Sequence, residues 1–161
     1  MNSWPLQSNC DSFYGNPRGI GGGHVNEAWY SQNIVIVKLP FEMRMGTDPI
    51  TRISIHKKCA ASVLRVFTSV APMLCTAAFK IPDYNYDGSF NYRVMRGGRS
   101  LSMHAYGCAI DLDAEHNPMG KKTVRFKDTS IWVKAFEAEG WVWGGRWSSP
   151  DAMHFQAALV G

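Results

Sequence analysis

A chain of 161 residues, 45% hydrophobic and with six Trp, has the size and composition of one domain with a real core. Its net charge of +4 is mildly basic, and no Lys/Arg run with interleaved aromatics tracks a backbone, which argues against nucleic acid as a partner. No stretch of about 18 apolar residues is present, which argues against stable membrane insertion, and residues 1–8 lack the basic and apolar regions of a signal peptide.

Residues 1–32 are rich in Gly, Asn and Ser and predict an irregular N-terminal wrap, pinned by Trp4, Phe13, Tyr14 and Trp29. His24, after three glycines, reads as a loop histidine. The β-branched run Ile34-Val35-Ile36-Val37 predicts a strand ended by Pro40, with Phe41-Glu42-Met43 continuing it after a kink. Asp48-Pro49 predicts a turn. Ser54 predicts the cap of a helix to about Val70, with Ile55, Cys59, Val63, Val66, Phe67 and Val70 as its apolar stripe. Lys57, Lys58 and Arg65 lie off that stripe, and His56 in the first turn reads as structural or solvated.

Residues 76–81 predict a strand, 82–88 a turn-rich loop, and 90–95 a strand that carries Arg93. A flexible basic loop, 96–100, follows. Residues 108–112 predict the central strand. Asp128, Thr129 or Ser130 can cap a second helix running through Glu139, with Gly140 beyond its end and Ile131, Ala135 and Phe136 facing inward. Residues 141–143 and 152–156 predict two further strands. No regular βαβ alternation and no internal repeat is present. The expected class is therefore α+β, a small antiparallel sheet flanked by helices.

Cys10, Cys59, Cys75 and Cys108 are irregularly spaced, without a CxxC pair, and read as four free thiols of a product made in the cytoplasm. Strand alternation puts Cys108 and Ile110 on the face opposite Ala109 and Asp111, so Cys108 is expected to be a buried small hydrophobe and no metal ligand.

The chemistry concentrates in two stretches. Ser102-Met103-His104-Ala105-Tyr106-Gly107-Cys108-Ala109-Ile110-Asp111 sets an imidazole and a carboxylate on either side of a glycine, and Asp151-Ala152-Met153-His154-Phe155 adds a second imidazole and a second acid. Two His and one Asp form the N,N,O set that suits a catalytic Zn²⁺ with one position left for water. His104, Asp111 and His154 are the expected ligands. Asp151, three residues before the last His, is the expected general base of a mononuclear zinc hydrolase. Asp113 and His116, just after the first stretch, read as loop-fixing or supporting residues. Trp141, Trp143 and Trp147 read as core and cleft wall.

Ser102-x-His104-x-x-Gly107-x-Ala109-x-Asp111 followed by Asp151-x-x-His154-Phe155 resembles the zinc peptidases of family M15, the D-alanyl-D-alanine carboxypeptidases and L-alanyl-D-glutamate endopeptidases. Gly140-Trp141-Val142-Trp143-Gly144-Gly145-Arg146-Trp147 resembles the phage endolysins of that group. The resemblance covers roughly residues 92–156. It implies a Hedgehog/DD-peptidase-like fold and a bacterial peptidoglycan stem peptide as partner; from the chain's length and the second motif ending a few residues before Gly161, a single catalytic domain over 1–161 with no separate wall-binding domain is expected. The resemblance also implies a monomer that reaches the wall through a membrane pore. Arg93 matches the family's arginine upstream of the first motif and is expected to stabilise the developing oxyanion. Arg96 is the alternative, and Ser102 is expected to fix the loop or contact substrate. The competing reading is a non-catalytic zinc-binding virion or wall-recognition module on the same scaffold, which keeps ligands but can lose the base.

Overall fold

The computed structural model describes residues 3–76, 79–95 and 98–161. Near the N-terminus two short helices, α1 (Cys10–Tyr14) and α2 (Glu27–Asn33), stand where an irregular wrap was expected. Asn26 explains the second: its side-chain oxygen accepts from the Trp29 amide at 3.1 Å, satisfying a first-turn donor. The aromatic anchors behave as expected, with Trp4, Tyr14 and Trp29 buried and Phe13 packed against the core.

A long hairpin follows, β1 (Ile34–Met45) against β2 (Asp48–His56), turning at Gly46 and Thr47. Pro40 does not end β1. The register shifts between Lys38 and Met43, so proline sits in an irregular stretch where its missing N–H interrupts no regular ladder. Asp48 and Pro49 pair with Met45 and Arg44 and belong to β2, not to a turn.

The helix expected from Ser54 begins later, as α3 (Lys57–Leu74). Residues 50–56 have β-branched Ile50, Thr51, Ile53 and Ile55, and cross-strand pairing with β1 wins over the helical stripe. His56 is the cap: its Nδ1 accepts from the Lys58 amide at 3.1 Å, and its Nε2 donates to the Tyr14 carbonyl at 2.9 Å.

Burial pushes the His56 imidazole down from the ordinary 6.5 to about 4. In that interval the unfolded chain binds a proton that the folded chain refuses. Stability present above pH 6.5 is therefore expected to be lost as pH falls towards 4. Urea unfolding of the wild type and of His56→Gln over this range checks it. The wild-type profile should be the steeper, and equal slopes would contradict the assignment.

Two expected strands are not formed by the described residues. Phe79 and Lys80 are irregular and Ile81–Tyr84 forms a 3-10 turn, while Ala77 and Ala78 lie outside the described residues. Of residues 90–95 only Val94 makes a bridge, to Leu101. The second sheet contains β3 (Tyr86–Gly88), β4 (Ala109–Leu112), β5 (Val142–Trp143) and β6 (His154–Gln156). It is antiparallel in the order β3-β4-β6-β5, which places β4 inside the sheet. With two small antiparallel sheets and helices packed on them, the protein is α+β.

The last helix, α4 (Ile131–Ala138), has Ser130 at its N-cap and Gly140 beyond its C-terminus at φ +79°. Its inner face is Trp132, Val133 and Phe136, whereas Ile131 and Ala135 are only half-buried. Trp132 sets that rotation by packing edge-on to Phe67 of α3, ring centroids 4.9 Å apart. Phe136 stacks on Phe155 of β6 at 4.4 Å. One face of β4 and β6 thus enters the core through Ile110 and Phe155, both fully buried. The opposite face is left for polar side chains. Among the described residues no helix is long and apolar enough to cross a membrane.

Candidate metal centre and cleft

The register of β4 on β6 builds the site. Asp111 pairs directly with His154, and Ala109 with Gln156. Direct partners on one face of an antiparallel pair have Cβ atoms about 4.5–5.5 Å apart, so carboxylate and imidazole meet without any loop having to deliver them. His104 comes from the 3-10 turn Met103–Tyr106 that precedes β4. Ser102 caps that turn, its Oγ accepting from the His104 amide at 3.3 Å. Gly107 ends the turn at φ +70° and passes its carbonyl to the His56 amide at 2.7 Å. A Cβ at Gly107 would come within 2.6 Å of Ile34 Cδ1 and 2.9 Å of the His56 nitrogen, so no other residue fits.

The three predicted ligands converge. His104 Nε2 lies 3.2 Å from Asp111 Oδ2, His154 Nδ1 lies 3.1 Å from Asp111 Oδ1, and one ligand atom from each residue falls within 4.8 Å of the others. The outer nitrogens fix the tautomers. His104 Nδ1 is 2.7 Å from the Ser89 carbonyl, which can only accept, so Nδ1 carries the proton and Nε2 the lone pair. Gln156 donates its amide to the Ala158 carbonyl at 2.8 Å, which turns its oxygen to accept from His154 Nε2 at 2.9 Å. His154 Nδ1 is then also a lone-pair nitrogen.

Two lone pairs therefore face one carboxylate in a nearly dry site, with His104 and His154 3% and 6% exposed. Burial alone would raise the Asp111 carboxyl, but the hydrogen bonds and positive charge that the two imidazoles bring once they carry a second proton outweigh it and hold it well below the usual range. Burial likewise works against a charged His154, and Asp111 beside it turns the balance upward. Both shifts express one demand, for positive charge among these atoms. His104 Nε2 is buried without a hydrogen-bond partner among the described residues. The donor set, the tautomers and this orphaned atom all fit a metal cation.

Cys108 is fully buried and directs its thiol to the Met103 carbonyl at 3.3 Å, outside the cluster. Cys108→Ala is expected to keep the metal and to cost about 1 kcal/mol or more in packing. Metal analysis with denaturant unfolding checks both, and metal loss in that variant would overturn the strand-face argument.

Asp151 sits at the entrance to β6. Its amide donates to the Gly144 carbonyl at 2.9 Å, and its own carbonyl accepts from the His154 amide at 3.1 Å. Gly144 makes this closeness possible, because a Cβ there would collide with the Asp151 carbonyl. Burial, reinforced by Asp111, raises the Asp151 carboxyl above its ordinary value against the opposing pull of His154, His104 and Arg93. Its Oδ1 is buried with no hydrogen-bond partner among the described residues.

A cleft of about 250 Å³ opens over these groups. Arg93, Ser102, Trp147, Asp151 and His154 line it, together with Met95, Met103 and Met119. Arg93 is held there by a short ladder in which the Ser102 amide donates to the Arg93 carbonyl at 2.9 Å and the Met95 amide to Ser100 at 2.8 Å. Its guanidinium makes a long contact, 3.5 Å, to the Val94 carbonyl. Ser102 both caps the His104 turn and lines the cleft. Arg96 lies outside the described residues.

Asp113 and His116 fix the exit from β4. Asp113 is fully buried at φ +48° and accepts from Asn85 at 2.9 Å, His116 at 2.7 Å and Arg125 at 2.6 Å. Two supports escaped sequence reading. Gln156 had a usable signal, since it lies two residues after His154 on the same strand face. The Ser89 carbonyl had none, because a backbone acceptor has no side-chain signature. Trp141 and Trp143 are core, and Trp147 forms the cleft wall with its ring 5.6 Å from that of His154.

Residues 96–157 match the peptidase family model described as D-alanyl-D-alanine carboxypeptidase, of the M15 group. The matched stretch contains His104, Asp111, Asp151 and His154, and begins just after Arg93. No solved structure matches the chain at a significant level.

Proposed function

We propose that this chain, whose residues 96–157 match the M15 peptidase family model, is a zinc-dependent peptidase of the endolysin kind. Its substrate is the peptidoglycan stem peptide, cut at L-alanyl-D-glutamate or D-alanyl-D-alanine. The observation that carries the reading is the orphaned His104 Nε2 facing Asp111 and His154, with an acid, Asp151, whose Oδ1 is also unpartnered among the described residues, lining the same cleft as His154.

His104, Asp111 and His154 would hold the ion. When bound, zinc supplies Lewis acidity that acidifies water towards a pKa of about 7 and polarises an amide carbonyl. Ser89 and Gln156 keep the two imidazoles in the tautomers that present lone pairs. Asp151 takes the proton of the attacking water and returns it to the leaving amine. Its raised affinity for a proton suits it to hold that proton between the two steps. Arg93, on the cleft wall and without a strong partner among the described residues, receives the negative charge that develops on the carbonyl oxygen or a substrate carboxylate. The methionines and Trp147 exclude water around small apolar substituents such as the alanyl methyl.

The rival, a non-catalytic zinc module, gives no reason for Asp151 to be buried with an unpartnered oxygen beside the ligands. Incubating zinc-loaded protein with purified sacculi and resolving the soluble products by mass tests the proposal. Release of stem-peptide fragments with a new D-glutamyl amino end, the L-alanyl carboxyl staying on the glycan, or of free D-alanine, supports it. Undigested sacculi at full zinc occupancy would hand the case to the rival.

A further inference from the structure

A second groove, of about 510 Å³, lies on the other side of the Trp147 wall. The loops between the two spaces send side chains into each alternately. Asp151 and Met119 line the metal cleft, whereas Pro150, Ala152, Lys121 and Lys122 line the groove. The Gly120 amide donates to the Pro150 carbonyl at 2.7 Å, so the two loops form one ridge, and Trp147 lines both spaces.

The groove is positively charged and its charge is free. Lys121, Lys122 and Lys127 are exposed, and none is held in an ion pair with a described residue. Arg146 is neutralised by Glu137 through bonds of 2.6 and 3.0 Å. Asp128 is the only acid among the described residues of the lining, so three ammonium groups stand against one carboxylate. Trp143 and Trp147 add an aromatic wall.

We infer that this groove is a second binding site for the same peptidoglycan strand whose peptide enters the metal cleft, and that it takes neighbouring stem-peptide carboxylates. The inference rests on the proposed function of the cleft. A polymer can span the Trp147 ridge, whereas an isolated short peptide in the cleft has nothing to place in the groove. Carboxylates repeat along the strand, and lysines on long stems meet them without demanding one fixed geometry. Holding the strand at a second point raises the local concentration of scissile bonds at the first. Contacts of this kind between exposed charges weaken as salt rises.

The test is co-sedimentation with sacculi stripped of phosphate-containing polymers by acid, using zinc-loaded protein in an Asp151→Asn background so that the strand stays whole. Lys121→Gln/Lys122→Gln/Lys127→Gln should bind about tenfold more weakly than its parent and lose most of its salt dependence. With Asp151 restored, the ratio of sacculus turnover to short-peptide turnover should fall by a similar factor. Undiminished sedimentation of the triple variant would overturn the inference, as would parental binding only to sacculi that retain phosphate polymers. Sedimentation is read without cleavage. Lysine-dependent binding by a protein that cuts nothing would support the groove and refute the peptidase reading, while cleavage without lysine dependence would do the reverse.

Discussion

Asp151→Asn is expected to keep zinc and fold while turnover on sacculi falls by about 10² or more, the usual weight of a general base. The substitution is nearly isosteric and leaves intact the backbone bonds to Gly144 and His154 that set the loop. What it removes is the ability to accept a proton at an oxygen that has no other partner among the described residues. Asp151→Glu is the finer probe. It keeps the carboxylate but lengthens the arm by one methylene in a loop drawn tight against Gly144, so partial activity is expected. Turnover at matched zinc occupancy is the measurement. An Asp151→Asn variant as active as wild type would remove the catalytic role. Loss of zinc in that variant would make Asp151 a support of the metal instead.

Legibility followed the physics of each element. The convergence of His104, Asp111 and His154 was readable because their types and spacing are restrictive, and the strand around Asp111 was readable because alternation separates Cys108 from it. The helix that stops short of Gly140 carried its own punctuation in Ser130 and the glycine. The start of α3 was misplaced because Ile53 and Ile55 fit a strand face as well as a helical stripe, and only pairing with β1 decides between them. His56 therefore became a buried cap, a role no local pattern announces. The short helices α1 and α2 were hidden in a Gly- and Asn-rich segment whose composition reads as loop. The direct pairing of Asp111 with His154, 43 residues apart, is a matter of register that no single stretch contains.

Removing a metal ligand is expected to have the largest effect on the folded protein. In Asp111→Ala two buried imidazole lone pairs would face each other with no carboxylate between them, and a cation would lose its only charged ligand among the three. Metal affinity should collapse. Because metal binding is coupled to folding, the variant should also unfold at lower temperature than the zinc-loaded wild type, and excess zinc should fail to restore it. Thermal unfolding with and without added zinc checks this. A variant whose midpoint rises with zinc as much as the wild type's would remove Asp111 from the site.

The most direct measurement is zinc content per chain, by elemental analysis of protein purified without added metal or chelator, for the wild type and His154→Ala side by side. One zinc per wild-type chain and a clearly substoichiometric value in the variant are the predicted results. A wild type that takes up no zinc even when it is supplied, or a His154→Ala variant that retains one full equivalent, would contradict the account.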